Sequence, residues 1–138
     1  MYAATEKISQ YFDEQEITYR VIERENASVL VAGVNSEKTS FEILYISHDD
    51  ENDVAMRVYD FIKFEDEKYA DLLELVNQLN HRYRYVKFIL DTNDNTVNIE
   101  IDFPSSTSNV GELAFEMLIR CTKIIDGAYP DFMRCIWT

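Results

Sequence analysis

The chain has 138 residues, of which 26 are acidic and 13 basic, for a formal charge of −13. That length suits one domain over residues 1–138, and a 46% hydrophobic content with 9 Tyr and 8 Phe excludes a disordered chain. Such a surface repels nucleic-acid phosphates and anionic lipid, and the nearest basic cluster, Arg82, Arg84 and Lys87, is too small to reverse this.

In chain order, residues 4–15 read as a short amphipathic helix, with Ala4, Ile8, Tyr11 and Phe12 at helical spacing. Ile17, Tyr19 and Val21 then alternate with Thr18 and Arg20, the pattern of a half-buried strand. Further strand-like runs follow at Ser28–Val34, Phe41–His48 and Val54–Phe64, joined by short polar connections at Asn35–Ser40 and Asp49–Asp53. Short links predict an antiparallel meander, because parallel neighbours need long crossovers. A second helix is predicted over Asp66–His81, with Tyr69, Leu72, Leu73, Val76 and Leu79 on its apolar stripe.

Residues 84–103 carry the clearest pattern. Val86, Phe88 and Leu90 form one alternating row, and Val97, Ile99, Ile101 and Phe103 form another, across an Asp-Thr-Asn-Asp-Asn-Thr loop. Matching the apolar rows restricts the register, since a one-residue slip turns a core row outward. One allowed register sets Phe88 opposite Ile99 and Lys87 opposite Glu100, a favourable charge pair. The last helix begins near Asn109, where Asn109 and Glu112 resemble a capping box. Its stripe runs from Val110 to Ile125, widened by Phe115 and Ile119, and Gly127 and Pro130 are expected to end it. The tail, with Phe132, Met133, Ile136 and Trp137, is too apolar to stay in water and is expected to dock on the domain or a partner. The fold class expected is therefore α+β, an antiparallel β-sheet with helices packed on one face in the order α-β-β-β-β-α-β-β-α.

Chemistry is hard to find in this sequence. Asp91, Asn93 and Asn95 match the start of a calcium loop with Asp102 at its twelfth position, but Thr96 replaces the turn glycine and the flanks alternate like strands. Asp49, Asp50, Glu51 and Asp53 crowd one connection, which reads as a solvated turn before it reads as a cation site. Glu100 and Asp102 share a strand face and are the only acid–base pair worth testing, on a face expected to be wet. His48 and His81 are isolated, and no Cys or His stands at zinc spacing. Cys121 lies on a core stripe and is expected to be buried and reduced. With glycine only at 33, 111 and 127, no phosphate loop can be built. Tyr45, Tyr83 and Tyr85 are candidates for an exposed aromatic surface that suits protein contacts. No catalytic, cofactor or metal residues are assigned.

The stretch Asp71-Leu-Leu-Glu-Leu-Val-Asn-Gln-Leu-Asn80, continuing through Tyr83–Asp91 to Val97–Ile101, resembles the YbjN family, which shares a fold with type III secretion chaperones. The Asn-x-Leu-Asn helix end followed by a Phe-centred hairpin is the telling piece. Asn77 and Asn80 there are expected to cap carbonyls or take left-handed conformations at the turn. The resemblance implies no catalytic residues; it implies a homodimer that binds or regulates other proteins, and no export role follows from it.

The reading is thus a non-enzymatic, chaperone-like or regulatory protein-binding module without cofactor, a homodimer with an unidentified protein partner and no nucleic-acid or membrane partner. Its rivals are an acidic inhibitor or immunity-type protein aimed at a basic enzyme or DNA-binding surface, steered by charge, and a hydrolase using Glu100 and Asp102. Candidate contact residues are Leu44, Ile46, Tyr85, Ile89 and Trp137. No leader segment or membrane span is visible, so a cytoplasmic location is expected.

Overall fold

The computed structural model describes residues 1–48 and 53–138. Helix α1 spans Ala3–Glu14, followed by strands β1 (Arg20–Glu23), β2 (Ser28–Asn35), β3 (Ser40–Ser47) and β4 (Asp53–Lys63). A 3-10 turn, Asp66–Lys68, leads into α2 (Tyr69–Arg82); β5 (Lys87–Asp91) and β6 (Thr96–Pro104) form a hairpin, and α3 covers Val110–Trp137. The strands make one antiparallel six-stranded sheet in the order β1-β2-β3-β4-β6-β5. This is the α+β element order expected. Of the registers that the apolar rows allow, the hairpin adopts the one with Phe88 opposite Ile99 and Lys87 opposite Glu100.

One face of the sheet meets all three helices. Leu30, Ile43, Tyr45, Met56, Val58, Ile99 and Ile101 point to it, and none of them is more than 3% exposed. α1 covers the β2–β3 half through Ile8 and Phe12, while α2 covers β5 through Leu72, Val76 and Leu79. α3 crosses both. Tyr45 is wholly buried, so it contributes to no exposed aromatic surface; its hydroxyl donates to the Ala114 carbonyl of α3 at 2.9 Å. Its ring packs edge-on against Phe12 and Phe103. Burial, reinforced by nearby Cys121, pushes its phenol well above the ordinary range, so it remains a neutral donor.

Several local expectations are corrected. The first strand starts at Arg20, leaving Ile17 and Tyr19 in the preceding turn, where Glu16 takes a left-handed φ of 59°. Leu73 and Tyr69 are exposed, and Leu75 packs against the core instead, because the stripe of α2 is rotated toward α3. Asn109 caps α3 by position but makes no side-chain capping bond.

The largest correction concerns the C-terminus. Neither Gly127 nor Pro130 ends α3, which runs unbroken for 28 residues. Gly127 is a notch: a Cβ there would lie 3.0 Å from the Tyr83 hydroxyl. Beyond it, Phe132 is wholly buried among Phe61, Phe88 and Tyr129. Phe61 reaches this cluster through a bulge between the aligned pairs Val58–Ile99 and Ile62–Val97. Asp60 at its centre has φ 56°, and its N–H donates to Asn98 Oδ1 at 2.7 Å.

Candidate functional site

The face of the sheet away from the helices carries no covering element among the described residues. The register places two rows of side chains across it. One runs Ile22, Val29, Ile46, Ala55, Asp102; the other runs Arg20, Val31, Leu44, Arg57, Glu100, Lys87. Ile22, Val29, Leu44, Ile46 and Ala55 are half-buried, and Val31 is only 2% exposed because its neighbours on the same face already shield it. An apolar patch thus spans β1 to β4. Arg20 pairs with Glu42 at 2.8 Å on one flank, and Arg57 pairs with Asp102 at 2.9 Å and Glu100 at 3.6 Å on the other. The exposed Arg20–Glu42 pair adds little stability, while Arg57, its side chain only 17% exposed, is held between two carboxylates; together they cancel charge around the patch.

Glu100 and Asp102 do share a face, as their alternation predicts. They lie on an open surface with Arg57 against both, rather than in a cleft, so nothing there excludes water from a reacting group. The calcium-loop residues form a hairpin turn in which Asp91 Oδ1 accepts the Asn93 N–H, and Asp102 stands at the far end of β6. Of the acidic connection, Asp49, Asp50 and Glu51 lie outside the described residues. Among the described residues, no cluster of three metal-ligating side chains occurs, and no helix is long and apolar enough to cross a membrane.

The five candidate contact residues do not form one surface. Leu44 and Ile46 sit together in the open patch. Ile89 shares that face but lies on β5, beyond β4 and β6, at 40% exposure. Tyr85, with φ 70°, projects from the turn before β5 beneath the Arg120 guanidinium of α3, 5.4 Å from its ring centroid. Trp137, 79% exposed, lines a separate groove of about 490 Å³ with Phe64, Lys63 and Lys68.

Two residues with structural work to do stand out only in three dimensions. Asn80 neither caps a carbonyl of its own helix nor turns left-handed; it stays in α2. Its carboxamide bonds both backbone groups of Phe88, donating to the carbonyl at 3.0 Å and accepting the N–H at 2.8 Å. It therefore stands in for a neighbouring strand and closes the β5 edge of the sheet. Asn80→Ala is expected to cost about 1–2 kcal/mol by leaving that edge unpaired, read as a lower urea midpoint at unchanged slope. Asp126 on α3 accepts Ser36 Oγ at 2.7 Å and the N–H groups of Lys38 and Glu37 at 3.0 and 3.1 Å. Burial alone would raise its pKa, but these donors outweigh it and hold the carboxylate below its usual range. The β2–β3 turn is thereby fastened to α3.

Cys121 is buried, as expected, and burial pushes its thiol up to about 12. Cys135 is half-buried and also raised, by burial first and then by the Asp71 carboxylate. Because the thiolate is the reactive form, a disulfide reagent at pH 8 is expected to label Cys135 slowly and Cys121 only after unfolding. Rapid labelling of both in the native protein would contradict this packing.

Fold and surface define an antiparallel α+β scaffold with one helical layer and one open sheet face. A family model described as "Putative bacterial sensory transduction regulator", YbjN, matches residues 4–125. The chain belongs to the YbjN family. The crystal structure of YbjN from E. coli, described as "a putative transcription regulator", superposes with a TM-score of 0.61 at 14% identity over 92% of each chain, a likeness of fold. No curated protein matches the sequence.

Proposed function

We propose that this protein is a non-enzymatic regulatory module of the bacterial cytoplasm that works by protein–protein contact as a homodimer, without a cofactor. The observation that carries this reading is the apolar patch of Ile22, Val29, Val31, Leu44 and Ile46 on an almost neutral sheet face. The charged side chains paired around the patch are Arg20 and Arg57 against Glu42, Glu100 and Asp102, two against three, or −1, while Lys87 turns its ammonium to the Asn80 and Tyr83 carbonyls at the end of α2. The whole chain carries −13, so −12 resides elsewhere. Two copies repel wherever helices and loops meet, and least where the open faces meet.

Size supports the same occupant. β2 and β3 have eight residues each, about 27 Å at ~3.4 Å per residue, and six strands about 4.8 Å apart span ~24 Å. The shorter outer strands leave a face of roughly 500 Å² before side-chain relief, which from two copies reaches the ~1,000 Å² total of the smaller specific interfaces. Docked this way, the acidic helical layers face outward for a regulated partner.

Sedimentation from micromolar to submillimolar concentration tests this. The native chain is expected to sediment as a dimer, and Leu44→Lys with Ile46→Lys as a folded monomer with unchanged circular dichroism. A native monomer throughout, or a dimer that ignores both substitutions, would refute the interface. A second reading, an acidic inhibitor of a basic protein, draws on the same outward charge. It requires affinity that collapses by ~0.5 M salt, where screening is strong.

A further inference from the structure

The N-terminus of α1 opens onto a depression of about 190 Å³ lined by Tyr2, Ala3, Ala4, Lys7, Ser47, His48, Asp53 and Ser105. Three observations there point to a ligand. First, α1 has no side-chain cap, and its first internal bond runs from Glu6 N–H to the Tyr2 carbonyl, so the N–H groups of Ala3, Ala4 and Thr5 have no helical partner. Second, Ser47 Oγ is 2% exposed and without a hydrogen-bond partner among the described residues, as is Thr5 Oγ1 in the same first turn. Buried hydroxyls are seldom left unpaired, and a site that leaves one at its wall expects a ligand or water there. Third, Lys7 adds a cation one turn along, and it makes no ion pair among the described residues; the Met1 ammonium is occupied by Glu23 at 3.6 Å.

Donors alone suit any anion, and the walls also hold an acceptor. His48 donates from Nδ1 to the Asn26 carbonyl at 2.9 Å, which fixes its ring at the rim. The Asp53 carboxylate lines the depression as an acceptor, and it repels a fully deprotonated anion. The set therefore fits an oxyanion that accepts on one side and donates on the other.

We propose that this depression binds a small protonated oxyanion of the phosphate class, with the α1 N–H groups, Lys7 and Ser47 holding its oxygens and Asp53 accepting its P–OH. The volume leaves room beyond a phosphate group for a small ester substituent or a few waters at ~30 Å³ each. Phosphate near neutral pH keeps a proton, whereas sulfate does not, so discrimination between them is the signature of the site.

Amide chemical shifts of the full chain, titrated with sodium phosphate, methyl phosphate or sodium sulfate at matched ionic strength, test it. Saturable shifts at Ala3, Ala4, Thr5 and Ser47 with inorganic phosphate are expected, and weaker ones with sulfate. The methyl phosphate arm reports whether one oxygen can carry an ester. Lys7→Gln, on an exposed side chain, is expected to weaken phosphate about tenfold by loss of a charged hydrogen bond. Asp53→Asn is expected to admit sulfate and so erase the preference, a result that damaged folding cannot mimic. Linear, unsaturating shifts, equal response to sulfate, or indifference to Lys7→Gln would overturn the assignment.

Discussion

Phe132→Ala is expected to cost about 3–5 kcal/mol, the usual range for deleting a buried aromatic ring, and to lower the melting temperature by roughly 10 °C or more. The ring is wholly buried, with its centroid 5.2 Å from that of Phe88 and 5.4 Å from that of Phe61. Its loss opens a cavity where the bulge of β4, the hairpin and the end of α3 meet, and none of these can close over it without moving another. Thermal unfolding followed by circular dichroism checks the magnitude. A loss under about 1 kcal/mol would mean that the last two turns of α3 are peripheral. Trp137→Ala supplies the contrast: at 79% exposure it should change stability little.

The second large effect is expected at Gly111, in the first turn of α3. A Cβ added there would stand 2.7 Å from Tyr11 Cβ and 2.9 Å from the Lys7 carbonyl oxygen. Neither neighbour is the far end of a flexible chain, so α1 must shift relative to α3. Gly111→Val should therefore destabilise by about 3 kcal/mol, at the upper end of overpacking costs, even though valine removes backbone entropy from the unfolded chain. Denaturant titration distinguishes the outcomes. A neutral or stabilising valine would show that α1 is not pinned this closely, and with it the depression at the α1 N-terminus would lose its fixed wall.

Much of the architecture was legible because period and burial agree. Val97, Ile99, Ile101 and Phe103 alternate strictly, and all four are buried, so matching rows restricted their pairing with Phe88 and Leu90 to a few registers, of which the fold takes one. Cys121 likewise sat on a continuous helical stripe. The misreadings share a different cause. Gly127 and Pro130 carry a local penalty, about 3 kcal/mol for a proline inside a helix. Local rules count that penalty and not the burial of Ala128 and Phe132 on the far side of it. Asn80 was identified as structural, but its partner, eight residues on at Phe88, belongs to a strand edge that exists only once the sheet is built.

The candidate surfaces divide in the same way. Leu44 and Ile46 were legible as apolar residues on a face expected to be wet. Their union with Ile22, Val29 and Val31 came from the β1–β2–β3 register, and Tyr85 and Trp137 fell elsewhere for the same reason. By itself the sequence determined the element order and the net charge and narrowed the hairpin register, because alternation and charge are properties of the chain. Tertiary structure alone decided which face stayed open, where the charge collected, how far α3 ran and which hydroxyls were left unpaired. Those depend on what stands opposite each residue, and opposition is created only by folding.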